Sequence, residues 1–208
     1  LCAQGTAFCA GADLANKRDD SAPAQRSPRG VNPLYAEALR LFACTKPIVA
    51  AVHGPAVGGG LGLALVADFR ITCAEARFSA NFTRLGFHPG FGLSVTLPRL
   101  VGLQRAALLF YTGRRIPGDE AQRIGLADEL VPLERVRPRA IELAQEIAGS
   151  APIAVRSTRA TVRGNLVEQI RLAVAHESME QNQHFLTEDF KEGVAAMGAR
   201  RAPQFKGR

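Results

Sequence analysis

No tryptophan occurs in this sequence, and tyrosine occurs only twice. Flat aromatic platforms for stacking nucleic-acid bases are therefore scarce, and the arginines are scattered, which together argue against nucleic acid as a partner. Long apolar runs are also missing: none approaches the ~18 uninterrupted residues that a membrane span requires. The N-terminus shows no basic stretch followed by an apolar one. The expectation from these absences is a soluble, cytoplasmic protein. Cys2, Cys9, Cys44 and Cys73 lack metal-type spacing, so no metal site is expected, and the apolar neighbours of these cysteines predict buried free thiols. There is no acidic excess: 26 Lys and Arg against 19 Asp and Glu leave a net charge of +7, which suits an anionic partner such as a phosphate-bearing small molecule.

What the chain does have is enough apolar content, 47% over 208 residues, to bury a core as one domain, with or without a terminal appendage. "LCAQG" reads as the tail of a strand, so a segment ahead of Leu1 is expected. The polar stretch "ANKRDDSAPAQRSPRGVN", with Asp19 and Asp20, reads as a solvated surface loop. Asn32 and Pro33 supply an N-cap and first-turn proline to a helix expected to pack inward through Leu34, Ala38, Leu41 and Phe42. "KPIVAAV", "FRITCA" and "ELVP" read as strands, separated by a glycine-led helix and the short helix "GDEAQRIG". Strand, helix and strand in alternation predict an α/β layer with mostly parallel order. From Leu133 onward the pattern is helical, so the chain divides into an α/β core over 1–132 and a helical region over 133–208. That region lies either over the sheets or over a neighbouring subunit.

"VGGGLGLALVADF" places three consecutive glycines ahead of an apolar helical run. Each glycine in a helix costs roughly 1 kcal/mol relative to alanine, so something requires a bare backbone at Gly58, Gly59 and Gly60. Three readings are open. The glycines let the helix sit tightly on a sheet, or their free N–H groups receive a phosphate, or the N–H groups receive a carbonyl oxygen that becomes an oxyanion. The Lys-Ser/Thr ending of a P-loop is absent, and the spacing differs from the dinucleotide fingerprint. A second small-residue turn, Ala10-Gly11-Ala12 in "AFCAGADL", offers further backbone amides.

Taken in order, "AFCAGADL", "KPIVAAVHGPAVGGGLGLALVADFRI", "ARFSANFTRLGFHPGFGLSVTLPRLVG" and "LTEDFKEGVAAMGARRAPQFKGR" resemble the enoyl-CoA hydratase/isomerase (crotonase) superfamily along essentially the whole chain. The resemblance implies a spiral of ββα units with a helical C-terminal region, and the family's first N-terminal strands are not represented. It implies an acyl-CoA thioester as substrate, with CoA as part of that substrate and no separate cofactor. Its thioester enolate would be held by an oxyanion hole formed by the backbone N–H groups of Ala12 and Gly59. Ala10, Asp13 and Leu14 would lie along the CoA, although the Asp13 side chain reads more simply as a local helix cap. Helices of the 133–208 region would build a homotrimer or a dimer of trimers.

The same resemblance exposes a departure. The family's hydratases use two glutamates as acid and base, and the matching positions here are Gly62 and Phe82, neither of which transfers a proton. General acid–base groups contribute about 10²- to 10⁴-fold each. His88 is the replacement candidate, set against a simpler role in a turn or pocket wall; His53 reads as structural. Phe82, Phe87, Phe91 and Leu93 suggest an apolar pocket wall. The alternatives to an acyl-CoA hydratase or isomerase are therefore a catalytically reduced acyl-CoA-binding protein and a hydrolase of CoA thioesters.

Overall fold

The computed structural model describes residues 1–12 and 33–208. After α1 (Pro33–Phe42), β1 (Val49–Val52) is buried at every residue, as a strand covered on both faces must be. It pairs in parallel with β3 (Phe69–Thr72), which pairs in parallel with β6 (Glu129–Leu130). A second sheet joins β2 (Ala56–Val57) in parallel to β4 (Arg77–Ser79), and β4 in antiparallel fashion to β5 (Arg115–Pro117). Each successive pair of strands thus sends one strand to each sheet. Helix α2 (Gly59–Ala64) follows the first pair, and α3 (Leu93–Val101) and α4 (Leu103–Thr112) follow the second. Helix α5 (Gly118–Arg123) lies within the third. This is the ββα spiral expected from the sequence.

Among the described residues no strand follows β6; the chain continues through α6 (Val136–Ala148), α7 (Pro152–Arg163), α8 (Leu166–His184) and α9 (Glu188–Gly198). Helix α6 packs on β1 and β3 of its own chain, α8 packs on α1 and α3, and α9 packs on the 3₁₀ segment Asn81–Leu85. Helix α7 buries no residue and is tied down by charge instead. Asp68 receives Arg159 at 2.9 Å and Arg163 at 3.0 Å, and the same carboxylate accepts the Ile48 N–H at 2.8 Å. The two guanidinium groups also donate to the carbonyls of Phe42, Cys44 and Val66, joining α7 to the ends of α1 and α2.

Two expectations are corrected. Helix α1 turns Tyr35, Ala38 and Phe42 inward and leaves Leu34 and Leu41 on the surface. Its inward stripe is set by Phe91, Ile170 and Val174, with which Tyr35 and Phe42 form a second apolar cluster. Of the four free cysteines only Cys73 is buried; Cys2 is exposed, and Cys9 and Cys44 are partly so. Cys2 lies beside the outer edge of β1, where Leu1 exchanges hydrogen bonds with Val49 and Ala51. The Asn32 cap and the Asp19-Asp20 loop fall outside the described residues.

The C-terminal tail folds back on α9. Glu192 accepts hydrogen bonds from the Arg201 guanidinium and, at 2.7 Å, from the Gln204 N–H, which together push its carboxyl from the ordinary 4.5 down to about 2. A carboxyl lowered on folding stabilises the docked tail above its unfolded value, and that stabilisation fades as pH falls toward the folded one. The NMR amide signal of Gln204 is therefore expected to keep its docked position down to pH 4.5 and to drift between there and about 2. Glu192→Gln should abolish that titration.

Candidate functional site

Segment 6–12 lies against segment 54–60 with almost no space between them. Cys9 bridges Ala56 in parallel, donating to the Pro55 carbonyl at 2.9 Å and accepting from Val57 N–H at 3.0 Å. A Cβ on Gly54 would overlap the Thr6 carbonyl oxygen, and one on Gly60 would overlap the Cys9 carbonyl oxygen. Gly60 is thus the packing glycine. Gly59 is different: a Cβ there would meet only Phe91 Cδ2, at 3.8 Å, an ordinary contact. Among the described residues no group accepts from the Gly59 N–H, whereas the Gly58 N–H is committed to Ser79 O at 2.9 Å.

Because the two segments run parallel, their turns emerge together. Gly11 sits at φ +85° and Gly58 at φ +58°, left-handed settings that side chains rarely adopt. The Cβ position of Gly11 lies 3.9 Å from the Gly59 nitrogen, so the loop Ala10-Gly11-Ala12 borders that amide. The two small-residue turns singled out in the sequence are neighbours in space. Ala10, Gly11 and Ala12 are exposed and Gly59 is half-buried. Asp13 and Leu14 lie outside the described residues.

The wall beside these turns is aromatic. Phe82 is buried, with its Cζ 3.8 Å from a Cβ position on Gly58. Asn81 Oδ1 is 3.4 Å from the same position, a polar group that sequence reading missed because the surrounding apolar run dominates the pattern. Phe91 lies over Gly62: a Cβ there would stand 2.6 Å from its ring. Phe91 is held edge-on to Tyr35 at 5.9 Å and to Phe42 at 6.3 Å between ring centroids. Burial pushes the Tyr35 phenol up to about 12, against the hydrogen bond from Gln181, so this hydroxyl stays protonated at neutral pH. Phe87 belongs to a ring cluster with Phe82, Phe185 and Phe190.

The turn from Gly86 to Gly92 is pinned by α8. Fully buried Glu177 accepts from Gly92 N–H at 2.8 Å, Ser94 N–H at 3.0 Å and Ser94 Oγ at 2.6 Å. One helical turn on, Gln181 donates to the His88 carbonyl at 2.8 Å. His88 donates its backbone N–H to His184 Nδ1 at 3.1 Å, and its own Nδ1 lies 2.7 Å from the Pro89 carbonyl, which requires the proton on that nitrogen. Only Nε2 of His88 is then open to exchange a proton. His53 joins the two parallel segments, with Nε2 3.0 Å from Gly5 O. Among the described residues no cluster of side chains has the arrangement of a metal site. A separate cleft of about 340 Å³ lies between Thr83, His184, Asp189 and the tail at Phe205 to Arg208, away from the glycine turn.

A family model described as enoyl-CoA hydratase/isomerase matches residues 1–208. The chain belongs to the enoyl-CoA hydratase/isomerase family. It is 38% identical to a crotonyl-CoA hydratase of Syntrophomonas wolfei over 95% of this chain and 75% of that protein. It is 37% identical to enoyl-CoA hydratase domain-containing protein 2, mitochondrial, of mouse over 97% of this chain and 69% of that one. The crystal structure of an enoyl-CoA hydratase/isomerase from Pseudoalteromonas atlantica superposes with a TM-score of 0.87 at 32% identity, covering 99% of this chain and 80% of that one. The fold is therefore the crotonase fold, and the family is one of enzymes. Among the described residues no helix is long and apolar enough to cross a membrane.

The contrast between adjacent glycines is directly testable. Gly60→Ala should cost about 3 kcal/mol in urea unfolding, because backbone atoms must move to admit the methyl group. Gly59→Ala should change stability by less than about 1 kcal/mol, since alanine suits a helical position better than glycine.

Proposed function

We propose that this protein binds an acyl-CoA thioester and polarises its carbonyl with the N–H groups of Ala12 and Gly59, stabilising the enolate that forms when the α-carbon loses a proton and that collapses to the neutral thioester when the proton returns. The observation that carries this reading is the opposite treatment of neighbouring glycines: Gly60 is sealed by Cys9, while Gly59 is left with a clear approach and an uncommitted amide among the described residues. Packing alone explains Gly60 and does not explain Gly59. Preorganised amides of this kind are worth about 3–4 kcal/mol each in a transition state. Ala10, Asp13 and Leu14 are proposed to follow the CoA, and the excess of basic residues suits its phosphates.

Two-carboxylate hydration is not part of this proposal, because Gly62 and Phe82 stand where the family's hydratases carry glutamates. His88 is its acid–base candidate, acting through Nε2. A protein that holds the thioester without turning it over is the second reading, favoured by the Phe91 ring lying against the bare Cα of Gly62. Mass spectrometry of crotonyl-CoA and a saturated acyl-CoA in heavy water separates the two. Deuterium uptake at the α-carbon, with water addition slowed by at least about 10²-fold relative to a two-glutamate enzyme, is the expected result. Gly59→Val should suppress the uptake. Unchanged thioesters that still bind tightly would establish the holding role, and release of free CoA would establish hydrolysis.

A homotrimer or dimer of trimers is also proposed. Ile153 and Val162 on α7 are 75% and 70% exposed, and Leu172 and Met179 on α8 are 58% and 61% exposed, a density of outward apolar side chains that a neighbouring copy would cover. Light scattering at micromolar concentration should return the mass of three or six chains; a single-chain mass overturns the assembly. The cytoplasmic address belongs to this proposal, and the mouse relative's name makes the mitochondrion the alternative.

A further inference from the structure

Phe91 adopts φ +65°, a left-handed setting that a bulky residue avoids unless its surroundings impose it. Here the surroundings do impose it. Gly62 leaves room beneath the ring, and Tyr35 and Phe42 clamp it edge-on. Glu177 fixes the next residue by accepting from its N–H. Only 5% of Phe91 is exposed, yet the ring comes within 3.8 Å of the Cβ position on Gly59. A thioester seated on the Gly59 amide would start its acyl chain beside this ring.

We infer that Phe91 is the specificity-determining residue of the acyl site: a stop that fills the volume over Gly62 and restricts the protein to short, apolar acyl chains. The inference rests on the reading that Gly59 receives the thioester oxygen. Gly62 and Phe91 act as one interlocked unit. The ring occupies the space a side chain at 62 would need, so enlarging either residue displaces the other. Phe82, buried with its ring edge at Gly58, makes the adjoining wall apolar as well.

Calorimetric titration of the full chain with non-hydrolysable ketone analogues of acetyl-, butyryl-, hexanoyl- and octanoyl-CoA, in which a methylene replaces the thioester sulfur and the carbonyl is kept, tests this. The wild type should bind the butyryl analogue best and lose affinity with longer chains. Phe91→Ala should move the optimum to a longer chain, gaining about fourfold in affinity for each additional methylene buried. Phe91→Leu, which keeps most of the packed volume and guards against loss of folding, should move it less. Gly62→Ala should drive the ring toward the thioester and depress octanoyl and hexanoyl binding further. The same chain-length order in the wild type and in every folded variant overturns the role of Phe91 while leaving the oxyanion reading intact. Wild-type affinity for every analogue equal to that for free CoA overturns the oxyanion reading and this inference together.

Discussion

The contact between the Cys9 carbonyl and the bare Cα of Gly60 is the constraint on which the candidate site depends. It forces the segment before Ala10 to lie directly on the strand-to-helix turn, and parallel pairing between Cys9 and Ala56 sets both chains in the same direction. Two turns built from small residues then leave the sheet edge side by side. Had the pairing been antiparallel, the loop at Ala12 would have departed from the opposite end. Proximity of the two turns is thus a product of sheet direction and steric fit.

A second constraint acts from the far end of the chain. Helix α8 places Glu177 and Gln181 one helical turn apart, and both reach into the loop that carries His88 and Phe91. Buried groups of this kind hold geometry well because leaving a buried N–H without an acceptor costs about 1–3 kcal/mol. The aromatic wall is consequently positioned by residues some 85 to 93 positions away in sequence. Helix α7, by contrast, adheres through the ion pairs of Asp68 with two arginines, whereas α8 adheres through the apolar stripe of Leu166, Ile170 and Val174 and the hydrogen bonds of Glu177 and Gln181.

Much of this was legible in the residue pattern. The glycine triplet, the small-residue turn at Ala10 to Ala12 and the strand at "KPIVAAV" announce themselves by composition, since bare backbone and β-branched runs have few other uses. Strands β2, β4 and β5, of two or three residues each, are too short for periodicity to register. The inward face of α1 was misread because its stripe is decided by Phe91 and Ile170, which meet it only in three dimensions. Glu177 and Gln181 escaped notice for a related reason: a polar residue on a long helix reads as solvated until its buried partners are known. The distinction between Gly59 and Gly60 was equally hidden, because adjacent identical residues differ here only in what stands opposite them.

The overlap between Gly62 and Phe91 also bears on how such a site changes over generations. Every glycine codon is one base away from an aspartate or a glutamate codon, so mutation alone readily supplies a carboxylate at position 62. What bars it is the ring already lying there. A side chain at position 62 has room only where the residue at position 91 is smaller than phenylalanine or its ring has moved aside.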